Sequence, residues 1–443
     1  MTEPFYTTPE LTQIFAPVSH VAQLLRFEAA LAHAEARASL IPAEAATAIA
    51  AACQVEQYDL EALYQDAAHA GTLVIPLVRA LTAHVAAPGR SYVHWGATSQ
   101  DAIDSAMMLQ LREALLVIEA DLLRLAAACA TLAEAHRATL MPARTLLQQA
   151  LPMPFGLKAA RWLSLTVRQL TALRAQRAQL SLQFGGAAGT LAALGEHGLL
   201  VAELLAEELD LVAPELPWHA ERDRSATIAA TLGIAAGALG KIAHDILLLA
   251  QSEVAEVSEA RAAGKGGSSA MPQKRNPIDT VLAQAASRLA LGQVSILLGA
   301  MAHEHERAAG SWQLEWQALP DLVRYTGGAA ARVANAVAGL ELDPARMRRN
   351  LDQSGGVLLA EALSMTLAQQ LGRPEAQQLV QTLCARALAT GRTLEAVACA
   401  DAQVSRLLSS DDLRSVLDPT AYLGSSAALI DRALAGYQLA LKG

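Results

Sequence analysis

Aromatic side chains are scarce in this chain of 443 residues, at 4% against 53% hydrophobic residues in total. The core must therefore come from Ala, Leu, Val and Ile, small side chains that suit closely approaching helices. Cysteine is rare too, and Cys53, Cys129, Cys384 and Cys399 show no CxxC spacing. Their alanine-rich helical context points to buried free thiols in a reducing, cytoplasmic compartment and not to a disulfide framework. There is no excess of positive charge. A formal net charge of -9 argues against a nucleic-acid partner and requires any anionic ligand to meet a local cluster of cations. Long apolar runs are also missing, because the greasiest segment, after Ser225, is interrupted by Lys241, His244 and Asp245, so no membrane span is expected. The opening MTEPFYTTPE has neither a basic patch nor an apolar stretch, and no signal peptide is expected.

Several chemistries lack their motifs. His303 and His305 stand two apart in HEHER, read as helix, where such a step turns the rings about 200° apart, and the HExxH spacing that puts both on one face is missing. AGKGGSS places Gly266 after Lys265, where a P-loop needs Ser or Thr, and no GxSxG elbow is present. No metal and no organic cofactor are expected.

What is present is helical rhythm. Met108, Leu111, Leu115, Ile118, Leu122, Leu125, Cys129 and Leu132 recur at alternating steps of three and four, a stripe of about seven turns. Leu232, Ala235, Leu239, Ile242, Ile246 and Leu249 repeat the rhythm on a helix opening near Ser225, and the next steps land on Glu253 and Glu256. Helices of this length need partners on their apolar side, so an all-α bundle is expected with almost no sheet. Pro42, Pro76 and the Pro88–Gly89 turn mark residues 1–107 as a small helical domain. Residues 108–345 read as the long-helix bundle, and shorter helices after Asp343 and Pro344 make 346–443 a third domain.

One segment breaks the helical pattern. GGSSAMPQKRNP, within a loop spanning 264–277, opens on glycines and is fenced by Pro272 and Pro277. Such a loop can fold over an anion, with backbone N–H groups of Ser268, Ser269 and Ala270 and the charge of Lys274 aimed at it. It resembles the GSSxMPxKxNP signature of the fumarase/aspartase superfamily. That resemblance implies Ser268 as catalytic base of an anti elimination, Lys274 and Asn276 as substrate contacts, and a homotetramer whose central helices form a 20-helix core with active sites shared between subunits. HWGATSQD (94–101) is similar to the family's first motif and implies carboxylate binding by Thr98 and Ser99, with His94 near the reacting centre. RTLLQQA (144–150) resembles the second motif, RTHxQ, with Leu146 in place of the family's His and Gln148 as a polar contact.

Within the superfamily, FEAALA (27–32), AGTLVIPLVRALT (70–82), PWHAERDR (217–224) and HERAAGSWQLEWQALP (305–320) resemble the cycloisomerase branch. This implies a small tricarboxylate diene as substrate, with Arg307 as a further carboxylate contact and Trp316 as one wall of a flat pocket. Ser268 or His94 would handle the proton. Glu253 and Glu256 read as ion-pair partners of bundle arginines, and His219, Arg222 and Arg224 as supporting or inter-subunit contacts. The rival expectations are an adenylosuccinate-lyase-like carbon–nitrogen lyase, against which Leu146 and Trp316 speak, and a non-catalytic structural descendant.

Overall fold

The computed structural model describes residues 3–262 and 264–442. Helices dominate, and among the described residues the sheet is limited to two short antiparallel pairs. The all-α expectation therefore stands. Ser99–Ala135 is the longest helix, and its stripe from Met108 to Cys129 is buried at every expected position. The second stripe, Leu232 to Leu249, is likewise buried along Asp223–Leu249.

Backbone contacts divide the chain into two compact units. The first comprises Met1–Leu123, Arg168–Lys241 and Leu282–Val333. There Pro17–Arg37 packs on Ala43–Ala52 and Gly198–Leu209, burying Leu24, Phe27 and Leu31. The second comprises Arg124–Val167, Ile242–Val281 and Ala334–Gly443. One of its cores gathers Leu363, Leu367, Val380, Leu383, Leu394 and Val397 from short helices.

Three expectations need correction. The helix Asp223–Leu249 stops before Glu253 and Glu256, because Ala255 turns to φ +49° and the Glu256 N–H closes back on the Leu249 carbonyl at 2.9 Å. Those carboxylates lie in a loop, outside the stripe. His303 and His305 are not on a helix, since residues 301–310 are irregular and His305 has φ +49°. A hairpin, Leu140–Thr145 paired with Gln148–Pro154, stands where no strand was expected. Its base is buried continuously and its tip is exposed, so it shows no alternation of period two. By length and composition, Asp223–Leu249 and Ile278–Gly299 also match a membrane span, because alanine and leucine outweigh the few charges that interrupt them. Half of the apolar window of the former, and 28% of that of the latter, is buried inside the chain.

Candidate active site

The predicted residues fall into three groups. The first is built at the start of Ser99–Ala135, in the first unit. His94 and Gly96 both take positive φ, +57° and +72°, and a Cβ on Gly96 would meet Leu194 Cδ2 at 2.5 Å. The segment is therefore held in one tight shape before the helix begins. Thr98 accepts the Asp101 N–H through its carbonyl and donates its own N–H to Asp101 Oδ2, both at 3.0 Å. This reciprocal pair closes the helix N-terminus and fixes Thr98 and Ser99 beside the first-turn N–H groups. Arg307 Nη1 donates to Thr98 Oγ1 at 3.0 Å, and Nη2 donates to the Ala187 carbonyl at 3.0 Å. Sequence reasoning named Thr98 and Arg307 separately, and the fold brings them together.

The same reasoning underrated Asp101. Its fully buried carboxylate accepts the Gly185 and Gly186 N–H groups at 3.0 and 2.9 Å and faces His219 Nε2 at 2.7 Å. It thus ties the helix start to the glycine turn that receives Arg307. Arg222 lies alongside, between Asp104 at 2.7 Å and Glu315 at 2.6 Å, with its guanidinium 4.7 Å over the Trp218 ring. Burial opposes its charge, but the two carboxylates outweigh that and push its pKa further up. Trp312 Nε1 donates to Asp104 at 2.9 Å, and Trp316 packs edge-on against Trp312, ring centres 4.8 Å apart. Trp316 is thereby fixed as a rigid half-buried surface. His219 and Arg222 support this frame, whereas Arg224 bonds Ser181 and Glu215 near the surface. His303, beside Glu315 at 3.7 Å, has its pKa pushed down by burial and by Arg222.

The second group is the loop. A Cβ on Gly266, at φ +69°, would stand 2.4 Å from the Asn276 carbonyl oxygen, and the Asn276 N–H donates to the Gly266 carbonyl at 2.8 Å. The two ends of the loop thus meet where only glycine fits. Ser268 Oγ accepts the Met271 N–H at 3.1 Å and the Ala270 N–H at 3.4 Å. Of the three expected donors, Ala270 N–H is joined by that of Met271, and both point at the serine oxygen itself. Two N–H dipoles on a hydroxyl oxygen favour its anionic form. Lys274 is exposed, and with Arg261, Lys265, Gly267 and Asn276 it lines a cavity of about 510 Å³. Lys265 is anchored to Glu259 at 3.1 Å and Asp279 at 2.6 Å. Burial works against its charge, but those carboxylates hold its pKa above the usual range.

The third group is the hairpin tip. Leu146 and Leu147 form a two-residue turn with φ +50° and +64°, conformations that leucine rarely adopts. Leu146 is 97% exposed, and Gln148 is exposed next to it. Below the tip, Arg144 grips the buried Glu256 with two bonds, at 2.6 and 2.9 Å, and Asn350 adds a third at 2.8 Å. Glu256 therefore does form an ion pair, but with an arginine of the hairpin and not of the bundle, while Glu253 is exposed and receives Arg346 only at its carbonyl. Among the described residues no three His, Cys, Asp or Glu side chains gather as a metal site.

Residues 6–294 match the family described as Lyase, and residues 356–433 match that described as Adenylosuccinate lyase C-terminus. The chain belongs to this lyase family, the fumarase/aspartase superfamily. It is 48% identical to 3-carboxy-cis,cis-muconate cycloisomerase of Bradyrhizobium diazoefficiens, over 94% of this chain and 93% of that one. It is 42% identical to nitrosuccinate lyase of Streptomyces davaonensis, over 96% and 93% of the two chains. The crystal structure of 3-carboxy-cis,cis-muconate lactonizing enzyme from Pseudomonas putida superposes with a TM-score of 0.93 at 45% identity, covering 100% of this chain and 99% of that one.

Proposed function

We propose that the protein is a cycloisomerase interconverting 3-carboxy-cis,cis-muconate and 4-carboxymuconolactone, in the protocatechuate branch of aromatic catabolism. The observation that carries this reading is the Ser268 oxygen held by two backbone N–H groups in a loop whose cavity is lined by Arg261, Lys265 and Lys274. A substrate with three carboxylates needs such a concentration of cations. A flat, conjugated one also suits the rigid face of Trp316, where a nucleotide phosphate would need a guanidinium. In the forward direction one substrate carboxylate oxygen bonds to the diene carbon, and a proton is delivered to the neighbouring carbon, so atoms balance without any co-reactant. Ser268 supplies that proton in lactonisation and removes it in reverse, with His94 as the alternative donor. Thr98, Ser99, Gln148, Lys274, Asn276 and Arg307 hold the carboxylates.

The active form is a homotetramer in which each site draws residues from several subunits. Support comes from Leu146 and Leu147, which leave an apolar hairpin tip in solvent, and from the outward Ile234, Leu291, Ile296 and Leu298 of the two apolar helices. The sequential division into 1–107, 108–345 and 346–443 describes the arms and the assembling bundle of that tetramer. The four thiols are free, which fits a cytoplasmic location, although of the four Cys129 alone is buried, against the expectation, and Cys399 is exposed. A second reading, elimination of a nitrogen group from a dicarboxylate, has the nitrosuccinate lyase relative in its favour. The two are separated by following the ultraviolet absorbance of 3-carboxy-cis,cis-muconate, with nitrosuccinate, adenylosuccinate and argininosuccinate in parallel. Loss of the conjugated band is expected with the muconate alone, and Ser268→Ala is expected to slow it by ~10²–10⁴-fold in kcat. Turnover of a nitrogen substrate but not of the muconate overturns the reading.

A further inference from the structure

His94 has a partner that no motif announces. Glu28 projects from the helix Pro17–Arg37, is 2% exposed, and places Oε1 2.6 Å from His94 Nδ1. Its other oxygen is buried without a hydrogen bond, so the imidazole is the polar contact that satisfies this carboxylate. A carboxylate at Nδ1 can only accept, so Nδ1 carries a proton and Nε2 is left as the nitrogen free to exchange one. His94 is itself set in an unusual backbone conformation, with φ +57°, four residues before the Thr98 that receives Arg307. A ring held at one end by a buried charge, on a segment this constrained, has one orientation.

We propose that Glu28 is a positioning residue for the reaction: it accepts a hydrogen bond from the Nδ1–H of His94, fixes the ring and its tautomer, and makes Nε2 the nitrogen that meets the substrate. Burial alone lowers the basicity of this ring, but Glu28 and, from further away, Asp101 outweigh it and hold the imidazole above its usual range. Glu35 on the same helix and Cys53 also interact with Glu28. A ring of raised basicity suits a proton donor to carbon, or a cation beside a substrate carboxylate, better than an ordinary histidine does. The inference rests on the cycloisomerase reading for its substrate and on the Glu28–His94 geometry for everything else.

The test combines kinetics with deuterium exchange at the histidine C2 position, read by mass spectrometry, which yields the pKa of His94 without reference to turnover. Glu28→Gln, which keeps size and an acceptor, and Glu28→Ala are compared in wild-type and His94→Ala backgrounds, on the intact protein. Expected are a fall in kcat of at least 10-fold for Glu28→Ala with KM within threefold, partial recovery in Glu28→Gln, and a lower exchange-derived pKa of His94 in both. In the His94→Ala background the Glu28 substitutions are expected to change kcat less than twofold. A Glu28→Gln enzyme with an unshifted His94 pKa, or an equal cost of Glu28→Ala with and without His94, overturns the proposal. Should the muconate not be turned over at all, the cycloisomerase reading falls, and the exchange experiment still decides the Glu28–His94 pair.

Discussion

Two turns beyond Glu28, Glu35 is fully buried on the same helix, and neither of its carboxyl oxygens has a hydrogen-bond partner. Burial, reinforced by Glu28, pushes its pKa up from 4.5 to about 9. The sign of the consequence follows from proton counts. Between pH 5 and 9 the unfolded chain has released this proton while the folded chain keeps it, so stability falls as pH rises through that window. Glu35→Gln removes the titration and keeps the shape. It is expected to flatten the stability–pH slope between pH 6 and 8 by up to ~1.4 kcal/mol per pH unit, the value for one proton, as read from denaturant midpoints. An unchanged slope means that Glu35 is ionised in the fold. Nothing in the sequence pointed to this residue, since AEAR reads as an ordinary polar helix edge and its burial comes from packing between helices distant in the chain. Ser268, by contrast, was legible from its loop, although the donors on its oxygen, Ala270 and Met271, are set by the turn itself.

The long helices were readable because apolar side chains repeat at 3.6 residues whatever surrounds them, and Met108 to Cys129 are buried as that rhythm requires. The hairpin was not readable. Strand patterns show only when one face is wet and the other dry, and LMPART/QQALPMP passes from fully buried to fully exposed along its length. The turn Leu146–Leu147 also lacks the Asn-Gly or Gly that usually marks positive φ. The signature loop is the opposite case, since its glycines announce the geometry. Gly266 needs both positive φ and the absence of a Cβ, because the Asn276 carbonyl would lie 2.4 Å away. Gly266→Ala is therefore expected to part the loop ends and to lower kcat/KM by ~10²-fold or more. The thermal midpoint should move by only a few degrees, because the loop contributes little buried area. Equal activity in Gly266→Ala would show that the loop closure seen here is not needed for turnover. Gly264→Ala is the control: a Cβ there meets nothing within 4 Å, so it tests backbone conformation without the clash.

At the level of the assembly, the apolar surface left open is what a single chain cannot explain. Leu146 and Leu147 stand in solvent at the hairpin tip, and Ile234, Leu291, Ile296 and Leu298 face outward from helices apolar enough to match a membrane span. We propose that other copies of the chain cover such surface, as suits a charged, loop-borne site whose hairpin is pinned just below its tip by Arg144 and Glu256. If sites are shared, the Thr98–Arg307 pair and the Ser268 loop that serve one substrate come from different copies. Arg307→Ala and Ser268→Ala are each expected to form inactive tetramers. When the two variants are mixed in equal amounts, dissociated and reassociated, random assembly leaves ~1 site in 4 with an intact Arg307 from one copy and an intact Ser268 from another. About a quarter of wild-type turnover should return, with sedimentation showing the same tetramer before and after. No recovery from fully exchanged tetramers, established by mass spectrometry of differently tagged chains, would mean that each chain completes its own site and that the exposed leucines serve assembly alone.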